Sequence, residues 1–136
     1  MSHFQIEQHL RAVDAALDRV GMAGMGGRMA GELSYGHQRL LELAMGLALK
    51  PRVLILDEPT QGLAAGEIEG FIALVRGLVP ETTVLMIEHN MEVVMSLAHR
   101  ITVLNFGQVL ASGTPDEVRA NPQVQAAYLG TDHAAA

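Results

Sequence analysis

The chain has 136 residues, which is enough for one domain with a hydrophobic core. Its composition is 49% hydrophobic and 18% charged with a net charge of −6, which argues against nucleic acid as a partner because phosphate binding needs clustered basic residues. Cysteine is absent and no apolar run approaches the roughly 20 residues that cross a bilayer, so we exclude disulfides, thiolate metal sites and a membrane span.

The first part of the chain predicts two helices joined by a glycine-rich segment. Apolar residues at positions 6, 10, 13, 17 and 20 form one helical stripe, which ends at Gly21. Residues 21–31 follow a helix rather than a strand and contain no Lys, which favours a linker over a phosphate-binding loop. Ser34 is a suitable N-cap for a second helix over residues 35–49, which Pro51 ends.

The middle of the chain alternates strands and helices, which predicts a parallel α/β sheet. Residues 53–56 are all apolar and lie between helix breakers, which indicates a strand buried on both faces. A helix is predicted over residues 66–78, then a second buried strand over residues 83–87 and a helix that begins near Met91.

The C-terminal part predicts a β-hairpin followed by two short helices. Residues 101–104 and 108–111 flank an Asn-Phe-Gly turn. Thr114 and Glu117 form a capping box with proline at the first helical position, and another short helix is expected to start at Asn121.

Ionisable residues follow both predicted parallel strands. Asp57 and Glu58 end the first, and Glu88 and His89 end the second. Ligands of open α/β sheets bind outside the carboxyl ends of the strands, so adjacent strands would bring these groups to one rim. Taken singly, each residue has a structural alternative, since acids often cap the next helix and a lone histidine is often structural.

A resemblance to a known family rests on four motifs in order. They are residues 33–39 (LSYGHQR), 53–63 (VLILDEPTQGL, which holds two of the motifs) and 87–91 (IEHNM), and together they resemble the second half of an ATP-binding cassette (ABC) ATPase. With residues 111–130 they are most similar to ATPase subunits of branched-chain amino acid importers. The resemblance runs from about residue 30 to residue 130.

This resemblance implies the fold and its division. We expect the C-terminal half of a P-loop NTPase-like α/β domain, a three-layer parallel sheet, with part of the helical signature subdomain. The implied boundaries are residues 1–50 for the signature portion, 51–130 for the Walker B to C-terminal part of the ATPase core and 131–136 for a tail.

The resemblance also implies roles for the ionisable residues. Asp57 resembles the Walker B aspartate that holds Mg²⁺ through water, and Glu58 resembles the carboxylate that polarises the attacking water. His89 resembles the switch histidine that contacts the γ-phosphate of ATP. ATP and Mg²⁺ are therefore the expected ligands.

The signature and D-loop are implied in the same way. The signature motif, which in this family serves ATP bound by the opposite subunit, corresponds to Leu33, Ser34, Tyr35, Gly36, His37 and Gln38. The D-loop corresponds to Gln61, Gly62, Leu63 and Ala64. Three positions depart from the family pattern. Tyr35 replaces a glycine, which should make backbone approach less free, Ala64 replaces a polar D-loop residue, and Asn90 replaces an aspartate.

The implied function is that of an ATP-hydrolysing subunit of an ABC importer. Its partners would be a second ATPase subunit in a head-to-tail dimer and transmembrane permease subunits, which would hold it at the cytoplasmic face of the membrane. The alternatives are a non-catalytic module that acts in trans with a partner ATPase, and an unrelated two-carboxylate metal hydrolase.

The motif Gly-x-x-x-x-Gly-Lys-Ser/Thr is not found in the 136 residues, whose one lysine is Lys50. The sequence therefore corresponds to a C-terminal fragment, which we expect to be inactive alone. In the family, the P-loop strand lies between the strands that resemble residues 83–87 and 101–104. Without it, two open strand edges would make the chain oligomeric or prone to aggregation.

Overall fold

A computed structural model describes residues 1–128, and the predicted tail at residues 131–136 lies outside this part. Its helices are α1 (His3–Arg19), α2 (Tyr35–Ala48), α3 (Ala65–Leu78), α4 (Met91–Leu97), α5 (Pro115–Ala120) and α6 (Pro122–Ala127), with a short 3₁₀ helix at Ala30–Glu32. Its strands are β1 (Val53–Asp57), β2 (Thr83–Ile87), β3 (Ile101–Asn105) and β4 (Gln108–Gly113). The chain forms two compact units, Met1–Glu88 and a second that begins at His89. No helix among residues 1–128 is both long and apolar enough to cross a membrane.

Helix α1 forms as predicted, but only the end of its apolar stripe is buried. Its start carries a capping box between Ser2 and Gln5, and Gly21 follows its end with a left-handed φ of 76°. Leu17 and Val20 are buried, whereas the remaining stripe residues are 43–59% exposed: Ile6, Leu10 and Val13. The segment that follows is more than a plain linker, because Met22 is 1% exposed within a series of turns.

The parallel strand pair of the first unit confirms the predicted α/β pattern. Strands β1 and β2 pair in parallel, from Val53 opposite Thr83 to Asp57 opposite Ile87. Leu54 on β1 is buried, and so are the core residues of α3, namely Phe71, Val75 and Leu78.

The predictions that the first strand is buried on both faces and that the second strand is buried are both wrong. Val53 and Ile55 are 59% and 64% exposed, and their neighbours on β2, Leu85 and Ile87, are 56% and 52% exposed. These four side chains share one face because strand side chains alternate. Nothing in the described residues of the first unit covers this face, which we call the open face.

The second unit contains the predicted hairpin and a core of its own. Strands β3 and β4 are antiparallel, and Phe106 and Gly107 form the tight turn between them with left-handed φ values of 47° and 76°. The core consists of Ile101, Val103, Val118 and Val124. The capping box at Thr114 and the cap at Asn121 start α5 and α6 as predicted. The four described strands thus form two separate two-stranded sheets.

Candidate functional site

The carboxyl ends of β1 and β2 lie at the same rim of the first unit, as predicted. Asp57 is in register with Ile87, and the backbone N–H of Glu58 donates to the Ile87 carbonyl oxygen at 2.7 Å. Asp57 is exposed on the open face and Glu58 is half-buried. We call Asp57, Glu58, Thr60 and Glu88 the carboxylate end.

Glu58 has an uncommon backbone conformation. Its φ is 46°, in the left-handed region that costs a non-glycine residue roughly 1–2 kcal/mol. The turn after it is closed by two backbone hydrogen bonds, from Gln61 N–H to the Glu58 oxygen at 3.2 Å and from Leu63 N–H to the Thr60 oxygen at 3.1 Å. Backbone strain that a fold maintains is concentrated at functional sites, which suits the role expected of Glu58.

A contact that the sequence did not predict fastens this turn to β2. The Glu88 carboxylate oxygen Oε2 accepts hydrogen bonds from the Thr60 hydroxyl at 2.8 Å and from the Thr60 backbone N–H at 3.3 Å. Thr60 is only 5% exposed. The available signal was the ionisable residue directly after the strand, but spacing alone does not identify its partner.

The first turn of α2 carries the predicted signature residues. The Ser34 hydroxyl oxygen caps the helix by accepting from the His37 N–H at 3.2 Å, which leaves its own proton as a donor. The Gln38 side-chain amide donates to the Leu33 carbonyl oxygen at 3.2 Å and so holds the residue before the cap. A helix start of this kind presents backbone N–H groups that suit an anion.

The first turn of α2, the predicted signature, packs against residues 61–64, the predicted D-loop. The Tyr35 ring lies directly on Gly62, whose φ is 78°, so that a side chain at Gly62 would overlap the ring. Gly36 lies equally close to the carboxylate of Glu67, which also accepts the Ala64 N–H at 2.8 Å. We call Ser34–Gln38 with Gly62 and Glu67 the signature end. Tyr35 is the residue of this turn that contacts Gly62.

An open groove of about 300 Å³ lies beside β1, lined in part by Arg39 and Asp57. The Arg39 guanidinium donates to Glu42 at 3.1 Å and lies 5.7 Å from the centre of the Tyr35 ring. The hydrogen bond to Glu42, with Tyr35 as the next contribution, raises the pKa of Arg39, so this side chain stays charged. Its Nε is buried without a hydrogen-bond partner among the described residues.

The residues present fit a weakly held Mg²⁺. Residues 1–128 contain no cluster of three or more His, Asp or Glu side chains that could bind a metal by themselves. Mg²⁺ does not need one, because it commonly takes one or two carboxylates, water and the phosphates of a substrate. Asp57 offers such a carboxylate at the rim. His89 begins the second unit, and its proximity to Glu58 stays a prediction.

Sequence comparisons identify relatives over most of the chain. Residues 3–61 match the ABC transporter family and residues 108–134 match the branched-chain amino acid ATP-binding cassette transporter family. The chain is 47% identical over 116 residues to the high-affinity branched-chain amino acid transport ATP-binding protein BraF of Pseudomonas aeruginosa, covering 84% of this chain and 46% of BraF. The corresponding LivG protein of Escherichia coli is 44% identical over 117 residues, again covering 84% of this chain and 46% of the relative. The chain therefore spans about half the length of the curated relatives it matches.

Solved structures support the same fold. A nucleotide-free ATP-binding cassette from an ABC transporter superposes with a TM-score of 0.79 at 28% identity, covering 91% of this chain and 51% of that one. The ADP conformation of the ATP-binding cassette MJ1267 superposes with a TM-score of 0.77 at 28% identity, covering 90% and 50% of the two chains. The predicted fold class is confirmed. The similarity to the family also extends further than the motifs indicated, because it includes α1, whereas the expected start was near residue 30.

Proposed function

This chain belongs to the ABC transporter family of ATPases, of the branched-chain amino acid type, and we propose that it provides the signature, Walker B, D-loop and switch-histidine part of an ATPase subunit that drives branched-chain amino acid import. The observation that supports this most is the carboxylate end. There, Asp57 and Glu58 leave β1 at the rim it shares with β2, and a strained backbone presents Glu58.

In this proposal the two carboxylates have separate tasks. Asp57 would hold Mg²⁺ through water, and Mg²⁺, when bound, would neutralise charge on the ATP phosphates. Glu58 orients the attacking water and accepts its proton, which is typically worth about 10²–10⁴ in rate. His89, which directly follows Glu88 in the chain, would hold that water and the γ-phosphate in line.

The signature end would act on a second nucleotide. Its Ser34 hydroxyl and the backbone N–H groups around Gly36 suit the γ-phosphate of ATP held by an opposing ATPase subunit. Two such subunits would face each other head to tail and join permease subunits at the cytoplasmic face of the membrane. The relatives BraF and LivG are branched-chain amino acid transport proteins by name, which supports the solute class.

Complementation tests the proposal. The chain is mixed with the remaining N-terminal half of BraF, and phosphate release is measured at millimolar Mg-ATP. We expect hydrolysis from the mixture only, because the 136 residues contain no P-loop motif. Micromolar ATP binding with turnover near one per second by this chain alone would contradict the proposal that a P-loop from the N-terminal half is needed. A mixture that assembles without hydrolysis would favour the non-catalytic module.

A further inference from the structure

We propose that Glu88 is a positioning residue for Glu58, which it reaches through Thr60. The inference rests on the proposed function, because Glu58 is the residue expected to orient the attacking water. Glu88 itself lies directly after β2 and one residue before His89.

The geometry connects the three residues by short steps. A single oxygen of Glu88, Oε2, accepts both the hydroxyl and the backbone N–H of Thr60, at 2.8 and 3.3 Å. The Thr60 carbonyl oxygen then accepts the Leu63 N–H at 3.1 Å, and Glu58 closes the same turn through Gln61. Holding Thr60 therefore holds the whole turn from Glu58 to Leu63.

Burial makes the contact with Glu88 difficult to replace by water. Thr60 is 5% exposed, and a buried hydroxyl or N–H that loses its partner retains the full cost of leaving water. Hydrogen bonds to an ionised carboxylate are about twice as strong as those between neutral groups. We therefore expect Thr60 to remain hydrogen-bonded to Glu88 rather than to turn towards solvent.

The arrangement gives the strained Glu58 backbone two attachments to β2. One is its own N–H on the Ile87 carbonyl oxygen at 2.7 Å, and the other is the Glu88 carboxylate acting through Thr60. A left-handed non-glycine residue persists only where its surroundings over-determine it. Loss of the second attachment should release Glu58 towards ordinary φ values and spread the directions in which its carboxylate points. Both attachments come from the strand end that leads into His89, so displacement there would be passed on to Glu58.

Hydrogen exchange followed by mass spectrometry tests this on the 136-residue chain. At nearly constant volume, Glu88→Met removes the acceptor of both hydrogen bonds, whereas Thr60→Val removes the hydroxyl donor and keeps the backbone N–H. We expect amides in residues 58–63 to exchange about tenfold faster in Glu88→Met and less than tenfold faster in Thr60→Val, with the double variant no faster than Glu88→Met alone. Thr60→Ser and Glu88→Gln keep a donor and an acceptor, respectively, and should restore slow exchange. Glu69→Met, an exposed acid on α3, is the matched control.

The complemented ATPase adds a functional measurement. There, Glu88→Met should lower kcat about tenfold and leave the KM for ATP unchanged, since Glu88 positions a residue that acts on water. Additive exchange effects, unchanged exchange or unchanged kcat would each overturn the inference. If no variant hydrolyses ATP, including the parent, the proposed function fails, while the exchange cycle still decides whether Glu88 fixes the turn.

Discussion

The two ends of the first unit are held in different ways. At the signature end, an added Cβ would overlap the Tyr35 ring at Gly62 and the Glu67 carboxylate at Gly36. At the carboxylate end, hydrogen bonds to the turn at Thr60 fix the backbone, while Asp57 stays exposed beside the open face. Close packing therefore fixes the conformation of the signature end, whereas side-chain hydrogen bonds fix that of the carboxylate end.

This difference indicates which substitutions each end tolerates. A change of side-chain chemistry at constant volume should lower activity most at the carboxylate end, with little effect on the overall fold. A change of volume should matter most at the signature end, where two glycines are in contact with Tyr35 and Glu67. Four experiments test this comparison, in order of decreasing expected effect.

The largest effect is expected for Glu58→Gln in the complemented ATPase. The amide keeps the shape of the carboxylate but cannot accept a proton, so hydrolysis should fall by about 10²–10⁴ while ATP binding is retained. Phosphate release and nucleotide affinity are measured in parallel. Glu69→Gln makes the same chemical change at an exposed residue of α3 and should leave hydrolysis unchanged. Hydrolysis within threefold of the parent would reduce Glu58 to a structural residue.

The next effect concerns Gly62→Ala. Alanine at its φ of 78° costs roughly 1–2 kcal/mol, and displacing the half-exposed Tyr35 ring should add about 1 kcal/mol to the loss in the free energy of unfolding. Gly24→Ala is the matched control, because its φ is 73° and nothing lies within 4 Å of an added Cβ. Urea denaturation of both variants measures the difference.

A second substitution decides whether the ring is the cause. The double variant Tyr35→Ala/Gly62→Ala lacks the ring. In that background, the loss in the free energy of unfolding caused by alanine at position 62 should fall to the loss caused by Gly24→Ala. Equal losses for Gly62→Ala and Gly24→Ala, with Tyr35 intact, would show that the ring contact contributes nothing.

Local signals were sufficient to predict most elements from the sequence. The capping patterns at Ser34 and Thr114 and the apolar run at Thr83–Ile87 gave helix and strand limits that the structure reproduces within a residue or two. Such patterns depend on neighbours along the chain, so no tertiary information is needed. The residue types Asp57 and Glu58 likewise indicated a site at a strand end.

Individual side-chain contacts between distant segments could not be predicted. Nothing in the spacing of Tyr35 and Gly62 shows that they touch, and Glu88 was noted only as an ionisable neighbour of His89. The open face was missed for a related reason. An apolar run indicates side chains that become buried when another segment packs on them. It does not indicate whether the described residues include that segment.

The open face provides the third experiment. Ile55 is 64% exposed beside Leu85 and Ile87, and apolar patches of this kind promote association. We expect the chain to self-associate and Ile55→Lys to weaken the association constant about tenfold, measured by light scattering over a concentration series. Ala73→Lys is the control, because it adds the same charge at an exposed residue of α3. A monodisperse parent monomer with strongly protected amides in β2 would contradict the expectation.

The smallest effect distinguishes close glycines from ordinary ones. Gly70 lies within α3 with nothing within 4 Å of an added Cβ, so Gly70→Ala should stabilise the chain by about 0.5–1 kcal/mol through helix propensity alone. Gly36 is also helical, but an added Cβ would displace the Glu67 carboxylate that accepts the Ala64 N–H. Gly36→Ala should therefore destabilise the chain, although alanine is also a better helix former than glycine. Opposite signs in urea denaturation would establish that the signature end is fixed by close approach. If both variants stabilise the chain, Glu67 moves aside without cost, and the contrast between the two ends fails at Gly36.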